Sequence, residues 1–268
     1  MNRMNSRNVF FLAAAFATLF VPPLLMAQKP PAVSETQGSP PTVAAPSWQW
    51  RRGAYWAQFD HQLLVDFGNL ARFHEADLQL GPPAAGQDRV VFMGDSITQG
   101  WNLQEYFPGK PYINRGIEAQ TTTQMLVRFR QDVIDLKPKV VVIMAGTNDL
   151  AQNTGPMTLE ESEGNLMSMA QLAAANGIRV VLCSVLPSVH FGWHPEVEDP
   201  APRIAALDKW IKDYAAEKEY VYVDYYSVMK DEAGGLPDKL SMDGVHPRPI
   251  GFAIMAPLAE AGIEKALK

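Results

Sequence analysis

The feature that most constrains the fold is a rhythm. Four short apolar runs, 90–93, 140–145, 178–185 and 221–223, lack polar alternation, and longer amphipathic segments separate them. A half-exposed strand alternates apolar and polar residues; an unbroken run marks a strand buried on both faces, as in a parallel sheet. Parallel neighbours cannot be joined by a tight turn, so each connection crosses the sheet, usually as a helix. The segments between the runs fit that demand. One opens at Thr121 with Gln124 three residues on, a capping-box spacing, shows Met125, Leu126, Phe129, Val133 and Leu136 on one side, and stops before Pro138. A second opens at Thr158 with Glu161 and carries Leu166, Met169, Leu172 and Ala173. A third places Ile204, Leu207, Ile211 and Tyr214 on one face, and the last runs from about 250 to 267. This alternation predicts an α/β chain, a three-layer α/β/α sandwich with right-handed crossovers and a mainly parallel sheet of roughly five strands.

The two ends of the chain read differently. Residues 1–27 carry Arg3 and Arg7 ahead of an apolar run, 9–21, then Pro22, Pro23 and a small residue at Ala27, which predicts a secretory signal peptide. The run is shorter than the roughly 20 residues of a membrane span, and no second such run follows, so no stable membrane anchor is expected. Residues 28–47 are rich in Pro, Ser, Thr and Ala and read as an extended tether. The remainder, 48–268, has the size of one domain. It begins with Tyr55, Phe59, Leu63, Leu64, Phe67, Leu70, Ala71 and Phe73 at three- and four-residue steps, predicting one long N-terminal helix ended by Gly81-Pro82-Pro83. Cys183 is the sole cysteine, so no intramolecular disulfide can form; export without disulfides points to a bacterial periplasm or exterior. The formal charge is −6, with no Lys/Arg cluster, which argues against nucleic acid and anionic membrane and for a neutral small-molecule substrate.

In a parallel sheet ligands gather at the carboxyl ends of the strands, so the residues after each run carry the chemistry. Four places stand out: Gly94-Asp95-Ser96, Asn114-Arg115-Gly116, Gly146-Thr147-Asn148-Asp149 and Asp243-Gly244-Val245-His246-Pro247. Ser96 fits two roles: the N-cap of the next helix, or a nucleophile with backbone N–H groups aimed at an oxyanion. A nucleophilic serine needs a base held by a carboxylate, and of five histidines His246 alone has an aspartate, Asp243, at a short interval in a Gly/Pro-bounded loop. Gly116 offers an approachable N–H and Asn148 a side-chain amide as oxyanion donors; each also fits a turn. Asp95 and Asp149 read as turn-organising carboxylates, with Asp95 a weaker substrate-side candidate. Arg115 fits either a substrate oxygen or a carboxylate partner. The loop 187–200 places His190, Phe191, Trp193 and His194 where they can line a cleft. Gly192 and Pro195 break the helix that a metal-binding histidine pair would need, so no metal and no cofactor are expected. G-x-S-x-G and phosphate-loop motifs are both absent.

Taken in order, "GDSITQG" with Ser96, "NRG" with Gly116, "GTND" with Gly146 and Asn148, and "DGVHP" with Asp243 and His246 resemble the four blocks of the SGNH, or GDSL, hydrolases. The run from "INRGIEAQTT" to "LKPKVVVIMAGTND" is similar to the subgroup of platelet-activating-factor acetylhydrolase catalytic subunits and bacterial acetylesterases; Glu118-Ala119 stands where those relatives have Gly-Gly. The resemblance implies a flavodoxin-like sheet and an ester hydrolase without metal or cofactor. In it Ser96 attacks, His246 relays the proton, Asp243 orients the imidazole, and Ser96, Gly116 and Asn148 hold the oxyanion. The expected substrate is a small acyl ester, acetyl above all, on a carbohydrate or similar alcohol. A lysophospholipase, thioesterase or aryl esterase of the same family, and a catalytically silent carbohydrate-binding envelope protein, are the competing readings.

Overall fold

The computed structural model describes residues 53–268; the expected signal peptide and tether lie outside the described residues. Five strands, β1 (Val90–Gly94), β2 (Tyr112–Gly116), β3 (Val140–Met144), β4 (Arg179–Cys183) and β5 (Val221–Val223), form one sheet in the order β2-β1-β3-β4-β5, with every neighbouring pair parallel. β1 and β3 are buried along their whole length, which is why their sequences carry no alternation. The third apolar run, 178–185, shortens to the five residues of β4, and β2 supplies a further strand outside the four runs.

From β1 the chain first steps out to β2 and then returns across β1 to β3. Such a reversal makes the crevice between the ends of β1 and β3 the switch point of the sheet. The register puts Gly94 level with both Gly116 and Met144, so the segments leaving β1, β2 and β3 emerge side by side. Crossovers of one hand, taken in opposite directions from β1, must lie on opposite faces. On one side α5 (Thr122–Phe129), α7 (Leu159–Ala175) and α8 (Ala201–Glu217) pack in series; on the other, α10 (Pro249–Leu267) lies against β3, β4 and β5 and reaches α4 (Leu103–Tyr106). The result is the expected three-layer α/β/α sandwich. Both expected capping boxes form, at Thr121/Gln124 and Thr158/Glu161. α5 ends in a π-helical turn, Arg130–Ile134, before Pro138.

One expectation is corrected. The N-terminal helix is two helices, α1 (Ala54–Val65) and α2 (Ala71–Leu80), not one. Apolar spacing continues across the break, but Asp66 accepts the Leu70 and Ala71 N–H groups through its two carboxylate oxygens and so caps α2, while Asn69 takes a left-handed conformation at φ 54°. α2 stops at Gly81, φ 63°, as read from the sequence.

The core continues to the site. Phe92 of β1 meets Trp101 edge to face at 5.7 Å between centroids, and Trp101 stacks on Phe252 of α10 at 5.5 Å. α10 begins three residues after His246, so this aromatic cluster fixes the segment that carries the histidine against the strand that leads to Ser96. Cys183 is buried, and burial pushes its thiol up to about 12, which leaves it inert as a nucleophile.

Candidate active site

Ser96 is the first residue of α3 (Ser96–Gln99), immediately after β1. The helix is capped by Asp95, whose Oδ1 accepts the Ile97 N–H at 2.9 Å. The cap role considered for Ser96 is thereby corrected, and its hydroxyl is left for another partner. That partner is His246: Oγ and Nε2 lie 2.8 Å apart. The other ring nitrogen, Nδ1, faces Asp243 Oδ2 at 2.6 Å.

The interval between Asp243 and His246 works because the turn is closed by the same carboxylate. Asp243 Oδ1 accepts the backbone N–H groups of Val245 at 3.0 Å and His246 at 2.8 Å, with Gly244 at φ 77° between them. Ser241, buried beneath, donates its hydroxyl to the His246 carbonyl at 2.8 Å. Partial burial acts against the Asp243 charge, but the hydrogen bonds from His246 and Val245 outweigh it and hold the carboxyl down at about 2. Asp95 goes the other way. It is fully buried, and burial outweighs the Ile97 N–H and the nearby His246, with Asp149 adding repulsion, so its carboxyl is pushed up to about 6.

Asn148 lies on α6 (Thr147–Leu150), directly after β3. Its Nδ2 is 3.0 Å from the Gln120 carbonyl and 3.4 Å from Asp95 Oδ2, and its Oδ1 accepts from Asn153 at 2.8 Å. Asn153 is the hub of this wall: its Nδ2 also donates to the Ala119 carbonyl at 3.1 Å, and its Oδ1 accepts the Trp193 indole N–H at 2.9 Å. Asp149 closes the neighbouring turn, accepting both the N–H and the hydroxyl of Thr122 at the start of α5. Arg128, wholly buried, pairs with Asp132 and donates to the Gly94 carbonyl at 3.0 Å, bracing the strand end from which Ser96 departs.

A cleft of about 290 Å³ opens over these groups, lined by Ser96, His246, Asn148, Asn153, Ala119, Trp56 and Trp193 together with Tyr55 and Glu118. The Trp193 ring lies 6.1 Å from that of His246. Gly116 does not reach this cleft. Its N–H donates to Asn114 Oδ1 at 2.8 Å, and a Cβ there would lie 2.1 Å from the Gln99 nitrogen. Gly116 is glycine because α3 crosses against it. The residue that β2 delivers to the cleft is Ala119, three further on, held at φ 61°; among the described residues no hydrogen bond takes up its N–H.

Other sequence candidates separate. Arg115 is engaged by Asp77 and by the Asn114 carbonyl at 2.7 Å, and it lies over the Phe73 ring at 4.6 Å, so its carboxylate pairing is realised and its substrate role is not. Asp95 sits beneath the cleft as a cap and does not line it. His194 is buried within its loop, with its N–H on the Phe191 carbonyl and Nε2 4.0 Å from Glu196, and does not line the cleft either. Among the described residues no group of three His, Cys, Asp or Glu side chains stands close enough to hold a metal. Sequence reasoning passed over Trp56, Ala119 and Asn153. Only Ala119 left a signal, the departure from Gly-Gly at a position whose φ suits glycine.

A parallel α/β/α sheet with a hydroxyl, an imidazole and amide donors gathered at its switch point defines a carboxylic ester hydrolase. The chain belongs to the GDSL-like lipase/acylhydrolase family, whose model matches residues 92–254. Its structure is similar to that of a putative acylhydrolase from Bacteroides fragilis, 43% identical, TM-score 0.74, over 76% of this chain and 99% of the other. In sequence it is 30% identical to esterase TesA of Pseudomonas aeruginosa over 61% of this chain and 81% of that protein. It is 29% identical to an acetylxylan esterase of Geobacillus stearothermophilus over 66% and 95%. The chain spans about half the length of other relatives, including platelet-activating factor acetylhydrolase IB subunit alpha1 of Rattus norvegicus (47% of that protein).

Proposed function

We propose that this protein is an exported serine esterase that removes small acyl groups, acetyl above all, from carbohydrates or similar alcohols through an acyl-enzyme. The observation that carries the reading is the continuous chain Ser96 Oγ, His246 Nε2, His246 Nδ1, Asp243 Oδ2, with contacts of 2.8 and 2.6 Å, opening on a cleft. In this mechanism His246 takes the Ser96 proton as Oγ attacks the ester carbonyl and returns it to the departing alcohol; Asp243 fixes the tautomer and stabilises the imidazolium. Water, activated by the same histidine, then releases the acid.

The oxyanion is assigned to three donors: the Ser96 N–H at the start of α3, the Ala119 N–H, and Asn148 Nδ2. Ala119 replaces Gly116 in this role, because Gly116 N–H is engaged by Asn114. The 3.4 Å contact from Asn148 to Asp95 is at the outer edge of a hydrogen bond, so that N–H is the one free to turn its hydrogen bond to an oxyanion. The small-acyl preference is supported by the size of the cleft, at the lower end of ligand pockets, and by its walls of Trp56, Trp193 and Asn153. The carbohydrate assignment is supported by those indole faces and by the acetylxylan esterase relative; export is supported by the segment 1–27.

Hydrolysis of p-nitrophenyl esters of rising chain length tests the acyl preference. The expected profile peaks at acetate and falls steeply beyond butyrate. A preference for eight or more carbons would replace the small-acyl reading with the lysophospholipase or thioesterase one.

A further inference from the structure

A second groove of about 280 Å³ adjoins the cleft, with Tyr55 and Glu118 common to the two. It runs between α1, the start of α2 and the turn after β2. Its character is different, because amides rather than indoles dominate its wall.

Some of those amides are structural. Gln120 and Gln124 donate to the Gly68 and Phe67 carbonyls at 3.0 and 2.9 Å, tying the bend between α1 and α2 to the domain. Others retain capacity. Gln99 accepts the Glu118 N–H through Oε1, which leaves its NH2 group; Gln62 donates Nε2 to the Asp66 carbonyl, which leaves its Oε1. Gln58 and Arg72 are exposed, and among the described residues no side-chain hydrogen bond takes up the Gln58 amide or the Arg72 guanidinium, which lies 5.7 Å from the Phe73 ring. The groove therefore presents donors and acceptors together, with one cation, Arg72, and one anion, Glu118. A hydroxyl both donates and accepts, so a neutral polyhydroxylated ligand matches this wall group for group. An acyl chain would leave these polar groups stripped of water without partners, and an anion would meet Glu118.

We propose that this groove is a subsite for the unesterified sugar residues adjoining the one whose ester lies at Ser96, so that the preferred substrate is an acetylated oligosaccharide. The inference rests on the esterase reading above and sharpens it: the cleft holds the acetylated residue against Trp56 and Trp193, and the groove holds its neighbours through Gln58, Gln62, Gln99 and Arg72.

The test compares p-nitrophenyl acetate with acetylated xylo- and cello-oligosaccharides of one and four sugars, for the wild-type protein and for Gln58→Leu/Arg72→Leu. The wild type should favour a tetramer over its monomer by roughly tenfold or more in kcat/KM. The double variant should lose roughly tenfold on that tetramer, through KM, as expected for about two net hydrogen bonds, while p-nitrophenyl acetate stays within twofold. A wild-type kcat/KM independent of sugar number overturns the subsite, as does an equal loss on all substrates in the variant. Hydrolysis of p-nitrophenyl acetate alone would retain the esterase and discard the subsite; failure on p-nitrophenyl acetate itself would remove the esterase reading and the subsite with it.

Discussion

Two aspartates flank the serine and are driven in opposite directions. Asp95, completely buried at the end of β1, has one close backbone donor, and its carboxyl rises to about 6. Asp243, on an open turn with its side chain 47% exposed, receives two backbone N–H groups and the His246 ring, and its carboxyl falls to about 2. Burial penalises the charge and hydrogen bonds to the charged form favour it. The contrast shows that the charge is favoured at the exposed carboxylate, which faces His246, and penalised at the buried one. The buried one serves the backbone of α3, and the two halves of the site are accordingly built on different principles: a sheet end braced from below, and a loop that closes on its own side chain.

The largest effects should fall on the reacting chain itself. Ser96→Ala should cut kcat on p-nitrophenyl acetate by roughly 10⁴- to 10⁶-fold with the melting temperature unchanged, and Asp243→Asn by roughly 10⁴-fold at neutral pH. Appreciable activity in the serine variant would take Ser96 out of the mechanism. If Asp95→Asn were the more damaging of the two aspartate changes, the division of labour drawn above would be reversed.

Next in size is Asn148→Ala, which removes one oxyanion donor and should lower kcat by roughly 100- to 1,000-fold with little change in KM. A loss confined to KM would make Asn148 a substrate contact instead.

Smaller still is a pH effect on stability. In the unfolded chain Asp95 titrates near 3.8, in the folded chain near 6, so the folded state keeps its proton longer. Its penalty on stability begins above about pH 4 and is complete above about pH 6. Asp95→Asn retains a cap oxygen without the charge, and should add about 3 kcal/mol at pH 7 while gaining little at pH 4, as read by urea unfolding at the two values. The Asp243 contribution has the opposite sign: present above about pH 4 and lost as pH falls toward 2. Equal urea midpoints for Asp95→Asn and wild type at pH 7 would show that the buried carboxylate carries no such cost.

The smallest effect separates packing from chemistry on β2. Gly116→Ala must move α3 away from a Cβ that would otherwise lie 2.1 Å from Gln99, at about 1–3 kcal/mol of stability. Ala119→Gly should keep full kcat, because glycine adopts φ 61° freely and retains the N–H. Loss of kcat in Ala119→Gly with unchanged melting would show that the methyl of Ala119, and not its N–H alone, serves the reaction.

Local sequence carried much of this. Unbroken apolar runs gave the parallel strands, two capping boxes gave the starts of α5 and α7, and the interval from Asp243 to His246 was readable because a turn closes it within four residues. Failures came where geometry depends on segments distant in sequence. The bend at Asp66 to Leu70 breaks an apolar spacing that continues undisturbed through it. Gly116 looked available as a donor because nothing in "NRG" reveals that Asn114 occupies its N–H or that α3 presses on its Cα. Arg115 found Asp77, a residue of α2 whose proximity no local pattern encodes.

The sequence by itself determined the layers of this protein, the turn that carries Ser96 and its Asp–His pair, because each is set by hydrophobic period or by contacts within a few residues. Only the tertiary structure decided which N–H faces the cleft, which indoles and amides wall it, and which aspartate has its charge favoured and which penalised. Those depend on burial and on hydrogen bonds between segments dozens of residues apart, and neither can be counted before the sheet brings the segments together.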